Sequence, residues 1–254
     1  MNDFISDIQS REIMTDLASI LPDALGRVSL MLESLPMKFE NEEKKRARWE
    51  PVFTGGSIVS LLLSDPAAPP PSRTKDIDLV LEIASYEEFT GMETALHTAG
   101  FTQTSFEDVM VAWQWKGVRV DFLPHKPNPL MTTNRWFPYL IEEAEWIEIL
   151  SGKFIWRASA PCFLATKFEA FFSRGKGDYV MSKDMEDIIA VIDGRPELID
   201  EVLFCNHDVR GFVARCCREL LTNRRFMDCL PQIVPDDNRE MIVMTRMNKL
   251  AEAS

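Results

Sequence analysis

The chain has 254 residues, 46% of them hydrophobic, enough apolar material for one large domain or two of ordinary size with a core that needs no staples. Its 28 basic and 40 acidic residues give a net charge of −12, which argues against broad nonspecific binding to DNA or to an anionic membrane. The five cysteines, Cys162, Cys205, Cys216, Cys217 and Cys229, are odd in number and lack paired metal-ligand spacing, which argues against structural disulfides and fits a reducing compartment.

The opening residues Met1-Asn2-Asp3-Phe4-Ile5-Ser6-Asp7 are acidic where a secretory signal would be basic, and no apolar run approaches the length of a membrane span. A soluble, cytoplasmic protein is expected. Residues 1–50 read as an N-terminal helical segment, with apolar positions at Phe4, Ile5, Ile8, Ile13, Leu17 and Ile20, then at Leu30, Met31, Leu32 and Leu35 beyond the break at Pro22. The cluster Lys44-Lys45-Arg46-Ala47-Arg48 is flanked by Glu40, Glu42, Glu43 and Glu50 and reads as a solvated helix face.

Residues 51–158 read as an α/β domain. Val52-Phe53 is a short strand, and Gly55-Gly56-Ser57 a turn into a helix over Ile58–Leu63 that Ser57 caps. Pro66, Pro69, Pro70 and Pro71 then impose a stiff loop. Asp76-Ile77-Asp78-Leu79-Val80-Leu81 is a strand in which the two aspartates share one face while Ile77 and Leu79 enter the core. A helix spans Tyr86–Ala99 and stops at Gly100. Strands follow at Phe101–Phe106, Val109–Trp115 and Val118–Leu123, the last two a hairpin through Lys116-Gly117 that delivers Asp121 to the sheet. A second hairpin is expected from Ala144–Leu150 and Lys153–Ala158.

Residues 159–254 read as a C-terminal helical domain. Ser159 caps a helix running to Ser173, a second runs from Ser182 to Gly194, and more fill roughly 196–229. Lys167 projects from the apolar stripe of the first, four residues from both Phe163 and Phe171, and either snorkels to water or is directed at an anion. Asp184 and Asp187 share a face in the first turn of the second, where acids also suit the helix dipole.

Two carboxylates side by side repel each other and become favourable when they share a hard cation such as Mg²⁺, which commonly carries a substrate's phosphates. Asp121 adds a third acid inside an apolar strand, where an unpaired carboxylate is disfavoured. Taken alone, an Asp-x-Asp pair also decorates solvated strand ends, and a Gly-Gly-Ser is often only a turn. Together, Gly55-Gly56-Ser57, Asp76-x-Asp78 and Asp121 resemble the nucleotidyltransferase superfamily with the polymerase-β-like fold. Lys167 followed by Lys183-Asp184-x-x-Asp187 resembles its AbiEii/AbiGii toxin-like branch, over roughly residues 50–193. The spacing from Ser57 to Asp76 is long for that pattern, and Lys183 stands where an Arg is more usual.

The resemblance implies an α+β mixed sheet flanked by helices, followed by a helical domain, and a Mg²⁺-dependent transfer of a nucleoside monophosphate from an NTP to a hydroxyl. Asp76, Asp78 and Asp121 are then the metal ligands and catalytic acids, with Gly55, Gly56 and Ser57 on the phosphates. Lys167 and Asp187 join the substrate site, and Asp184 orients Lys167 or the nucleophile. Replacing Lys167 by Met should then weaken NTP binding with little loss of stability. An RNA or tRNA 3′ end or a protein side chain is the implied acceptor, and an antitoxin the implied partner. The rivals are a metal-dependent phosphodiesterase or glycosyltransferase, which needs no Gly-Gly-Ser element, and a catalytically silent binding module. His97, His125 and His207 form no metal cluster in sequence. Trp113 and Trp115 read as packing, and Trp136 in an expected loop as a residue able to stack on a base.

Overall fold

The alternation of aspartate and aliphatic residues from Asp76 to Leu79, continued by Val80 and Leu81, forms a strand, β2, with Ile77 and Leu79 buried and both aspartates partly accessible. It belongs to a computed structural model that describes residues 50–72, 74, 76–83, 86–103, 112–115, 117–127, 133–150, 153–175 and 177–253. The helical reading of residues 1–50, with the Lys44–Arg48 cluster, lies outside the described residues except for Glu50, as do Thr104 to Phe106 and Val109 to Val111 of the expected strands.

The sheet is mixed and has seven strands: β1 (Val52–Thr54), β2, β3 (Thr102–Gln103), β4 (Ala112–Trp115), β5 (Val118–Pro124), β6 (Glu145–Leu150) and β7 (Lys153–Arg157). Their spatial order is β3-β4-β5-β2-β1-β7-β6. β2 is parallel to β5 and β1 to β7, and the other four pairings are antiparallel. Gly117, at φ +81°, closes the β4–β5 hairpin in a conformation that a side chain disfavours.

Nine α-helices complete the described residues: α1 (Val59–Leu62), α2 (Tyr86–Thr98), α3 (Phe137–Glu142), α4 (Ala160–Arg174), α5 (Lys183–Gly194), α6 (Leu198–Phe204), α7 (His207–Thr222), α8 (Arg224–Ile233) and α9 (Asp237–Glu252). The chain is thus mixed α/β, of the α+β kind. Sheet residues such as Phe53, Leu79 and Phe122 and helix residues such as Phe163, Phe168 and Ile188 belong to one buried cluster.

Several elements depart from the sequence reading. α1 is a single α-helical turn preceded by a 3-10 turn over Gly56–Ile58, and Ser57 does not cap it, because its hydroxyl donates to the Thr54 carbonyl at 3.1 Å. Ser159 holds the N-cap position of α4 without a side-chain cap bond, whereas Ser182 does cap α5 through Met185 N. The expected loop at Trp136 is present, but helix α3 follows it directly where no element was expected, and α9 extends the helices beyond residue 229. Trp136 is 6% exposed and stacks on Phe212 at 4.5 Å, so the structure makes it a packing residue, not an open platform for a base.

The last helix fastens the loop and helix that flank the aspartates. Arg239 on α9 reaches Asp65 at 2.7 Å and Asp193 at 2.8 Å, and Gly194 O accepts Ser64 N and Asp65 N at 2.9 and 3.0 Å. The proline loop and the C-terminus of α5 are therefore held together, with burial of the ions offset by direct pairing.

Candidate active site

The parallel register of β2 and β5 places Asp78 opposite Asp121 and Asp76 opposite Arg119. Residues paired across adjacent strands project to the same side, so the three carboxylates share one face although 43 positions separate Asp78 from Asp121 in the chain. On the other side of β2, Thr54 of β1 is also in register with Asp78. The row Thr54–Asp78–Asp121 thus runs across three strands and ends beneath the Gly-Gly-Ser turn.

Gly55 makes that closeness possible. Its φ of 70° and ψ of −168° lie in a region nearly confined to glycine, and a Cβ at this position would sit 1.8 Å from Asp78 Oδ2. A Cβ on Gly56 would approach Thr74 at 3.2 Å and Asp187 Oδ2 at 3.6 Å. The turn therefore lies between the strand aspartates and the first turn of α5. Ser57 is 3% exposed and spends its hydroxyl proton on its own chain, so it offers a ligand no free donor from the side chain in this arrangement.

Burial, reinforced by Asp76 and Asp121 and opposed by Lys167 and Arg174, pushes the Asp78 carboxyl up to about 7. Desolvation raises a carboxyl pKa because it penalises the charged form, and neighbouring carboxylates add to it. Thr74 donates to Asp76 Oδ1. Asp121 is gripped by Arg119 in a two-bond fork, Nε to Oδ1 at 2.9 Å and Nη2 to Oδ2 at 3.1 Å. A guanidinium thus occupies the oxygens of Asp121, and among the described residues no group of three His, Cys, Asp or Glu side chains is gathered closely enough to hold a metal.

The helical side supplies a buried ion cluster. Lys167 Nζ lies 2.7 Å from Asp187 Oδ2 and 3.2 Å from Asp184 Oδ1, with 11% of its side chain exposed. Burial alone would lower its pKa, yet Asp187 and Asp184 together raise it above the ordinary lysine value. The ammonium is not in water, which decides against snorkelling. Arg174 binds Asp184 through Nε at 3.0 Å and Nη2 at 3.1 Å, and this fork with Lys167 outweighs burial and lowers the Asp184 pKa. Lys183 Nζ is 3.5 Å from Asp187 Oδ1 and 3.2 Å from Glu186. Nothing in the spacing of Arg174 ties it to Asp184, so the sequence did not mark it as a partner of the cluster. Arg119 was missed as well, although it stands two residues from Asp121 on the same strand face.

The structure therefore gathers Gly55, Gly56, Asp76, Asp78 and Asp121 at one end of the sheet, and Lys167, Asp184 and Asp187 in a cluster that meets them at Gly56. The chemistry of the donor set would suit a hard cation: Asp76 and Asp78 present carboxylate oxygens two residues apart, and Asp78 carries an ionisation penalty that a cation would remove. No family model matches the chain, and the comparison with curated proteins gives no match either.

Proposed function

We propose that the protein is a Mg²⁺-dependent nucleotidyltransferase, built on a polymerase-β-like arrangement of β1, β2 and β5. The carrying observation is the in-register pair Asp78–Asp121 beneath Gly55, whose missing side chain leaves room only for backbone beside Asp78. Asp76 and Asp78 would hold the ion, which when bound supplies charge neutralisation for a triphosphate. Gly55 and Gly56 let the backbone approach the terminal phosphates. Arg119 must first release Asp121. The freed carboxylate then accepts the proton from the acceptor hydroxyl as its oxygen bonds to the α-phosphorus, and the α–β phosphoanhydride bond breaks to release pyrophosphate. Lys167, with its charge shared between Asp184 and Asp187, holds α5 against the turn and offsets charge near Asp78.

The acceptor in this reading is an RNA 3′ end, such as that of a tRNA, or a protein hydroxyl, and a toxin held by an antitoxin is the biological setting it suits. The second reading, a catalytically silent module, is favoured by the Arg119 fork on Asp121. Incubation with each α-labelled NTP, Mg²⁺, and total RNA or lysate protein separates them. Transfer reads as label in the polymer that disappears in Asp78→Ala, whereas label absent from every polymer, or unchanged in Asp78→Ala, rejects the transferase reading.

A further inference from the structure

Away from the aspartates, α3, the residue pair before it and α7 line an open cavity of about 440 Å³, within the range of small-molecule sites. Its wall is a stack of rings and guanidinium groups. Trp136 and Phe212 pack at 4.5 Å with planes 27° apart. The Arg135 guanidinium lies 5.1 Å from the Trp136 ring centre and 4.9 Å from that of Phe212, and Arg215 lies 5.3 Å from Phe212. The rings are 6% exposed each, while 58% of the Arg135 side chain is open to solvent. A guanidinium seated on an aromatic ring presents its second face outward, and that flat cationic face stacks on another planar ring.

The polar edge of the cavity favours a neutral ligand over an anion. Asp208 Oδ2 accepts the Tyr139 hydroxyl at 2.7 Å, His207 Nδ1 is 3.5 Å from Oδ1, and Arg135 is paired with Glu169 at 2.8 Å. Arg135 is already paired with Glu169, and Asp208 shares the lining with Arg215, so a phosphate would meet little surplus positive charge. A flat heterocycle with donors and acceptors on its rim meets the open guanidinium face, backed by the buried rings, and a hydrogen-bonding edge together, which is how unpaired bases are held. We infer that this cavity binds a nucleobase, either of a free nucleoside or of an unpaired residue in single-stranded RNA. It is distinct from the aspartate cleft and does not depend on the transferase reading, although Asn134 Nδ2, bonded to Thr166 O at 2.9 Å, ties its wall to the helix that carries Lys167.

The test is direct because Gly211 lines the cavity and a Cβ there meets nothing within 4 Å. Gly211→Leu therefore starts from an open Cβ position, projects an apolar side chain into the cavity and improves the helix propensity of α7. Adenosine, guanosine, cytidine, uridine and a short single-stranded RNA are titrated in EDTA into the full chain, with tryptophan fluorescence and calorimetry as readouts. The wild type binds at least one of them, and Gly211→Leu and Arg215→Met each weaken it by about tenfold or more, the range of one lost base stack. Binding of nucleoside and RNA alike assigns the site to an unpaired base, and binding of nucleoside alone assigns it to a small molecule. No binding by the wild type, or binding unchanged in both variants, overturns the inference. EDTA keeps the outcome separate from metal-dependent transfer, so either proposal can fail while the other stands.

Discussion

Replacing Asp78 by Asn isolates the electrostatic cost concentrated beneath the Gly-Gly-Ser turn. A carboxyl that titrates at about 7 in the fold and at 3.8 in an open chain binds more protons when folded across that interval. Stability conferred by the protonated form is therefore fully present below about pH 4 and is lost as pH rises to 7. At about 1.4 kcal/mol for each tenfold change, the loss reaches about 4 kcal/mol, a ceiling because Asp78 keeps part of its surface accessible. Asn is nearly isosteric and cannot ionise. Urea unfolding in EDTA should show Asp78→Asn gaining stability relative to wild type as pH rises from 4 to 8, by 1–4 kcal/mol in order of magnitude, and Mg²⁺ at pH 8 should stabilise only the wild type. A wild-type-to-variant difference that stays flat with pH would mean that Asp78 is already ionised and well solvated, and the account of its environment would be wrong.

Gly55→Ala should cost about 2 kcal/mol from the φ of 70° alone and should also displace the Asp78 carboxylate, so thermal melts shift down and Mg²⁺ no longer stabilises the protein; a melt matching wild type would contradict this. Lys167→Met should destabilise by about 3 kcal/mol, because it leaves Asp184 and Asp187 buried beside one another with a cation missing. This reverses the expectation from sequence of an unharmed fold, and an unchanged urea midpoint would restore it. Arg239→Met should cost about 2 kcal/mol by breaking its charged hydrogen bonds to Asp65 and Asp193, and faster hydrogen exchange should appear in residues 64–68 and at the end of α5. Protection equal to wild type there would mean that α9 does not fasten the loop.

What could be read from the sequence follows periodicity. Strand parity put Asp76 and Asp78 on one face, and the hairpin through Gly117 delivered Asp121 beside Asp78, because short-range alternation and one turn residue determine both. Side-chain partners were less legible. The Arg119 fork on Asp121 and the Arg174 fork on Asp184 depend on rotamers and on helix packing that spacing does not encode. Helix α3 was missed because Phe137-Pro138-Tyr139 is rich in weak helix formers, while in the fold it is held by burial of Phe137 and Leu140. Ser57 misled for a related reason: a serine before an apolar run suggests a cap, but the chain folds into a 3-10 turn that brings the Thr54 carbonyl to its hydroxyl.

A crystal structure with Mn²⁺ and a non-hydrolysable NTP analogue shows whether the carboxylates of β2 and β5 and the Gly-Gly-Ser turn together hold a metal–triphosphate. Anomalous density is expected between the Asp76 and Asp78 carboxylates, with the triphosphate against the backbone of Gly55 and Gly56 and Asp121 released from Arg119. Triphosphate bound elsewhere, or a cleft in which Arg119 still grips Asp121 and no Mn²⁺ lies between Asp76 and Asp78 at saturating concentrations, would contradict that arrangement.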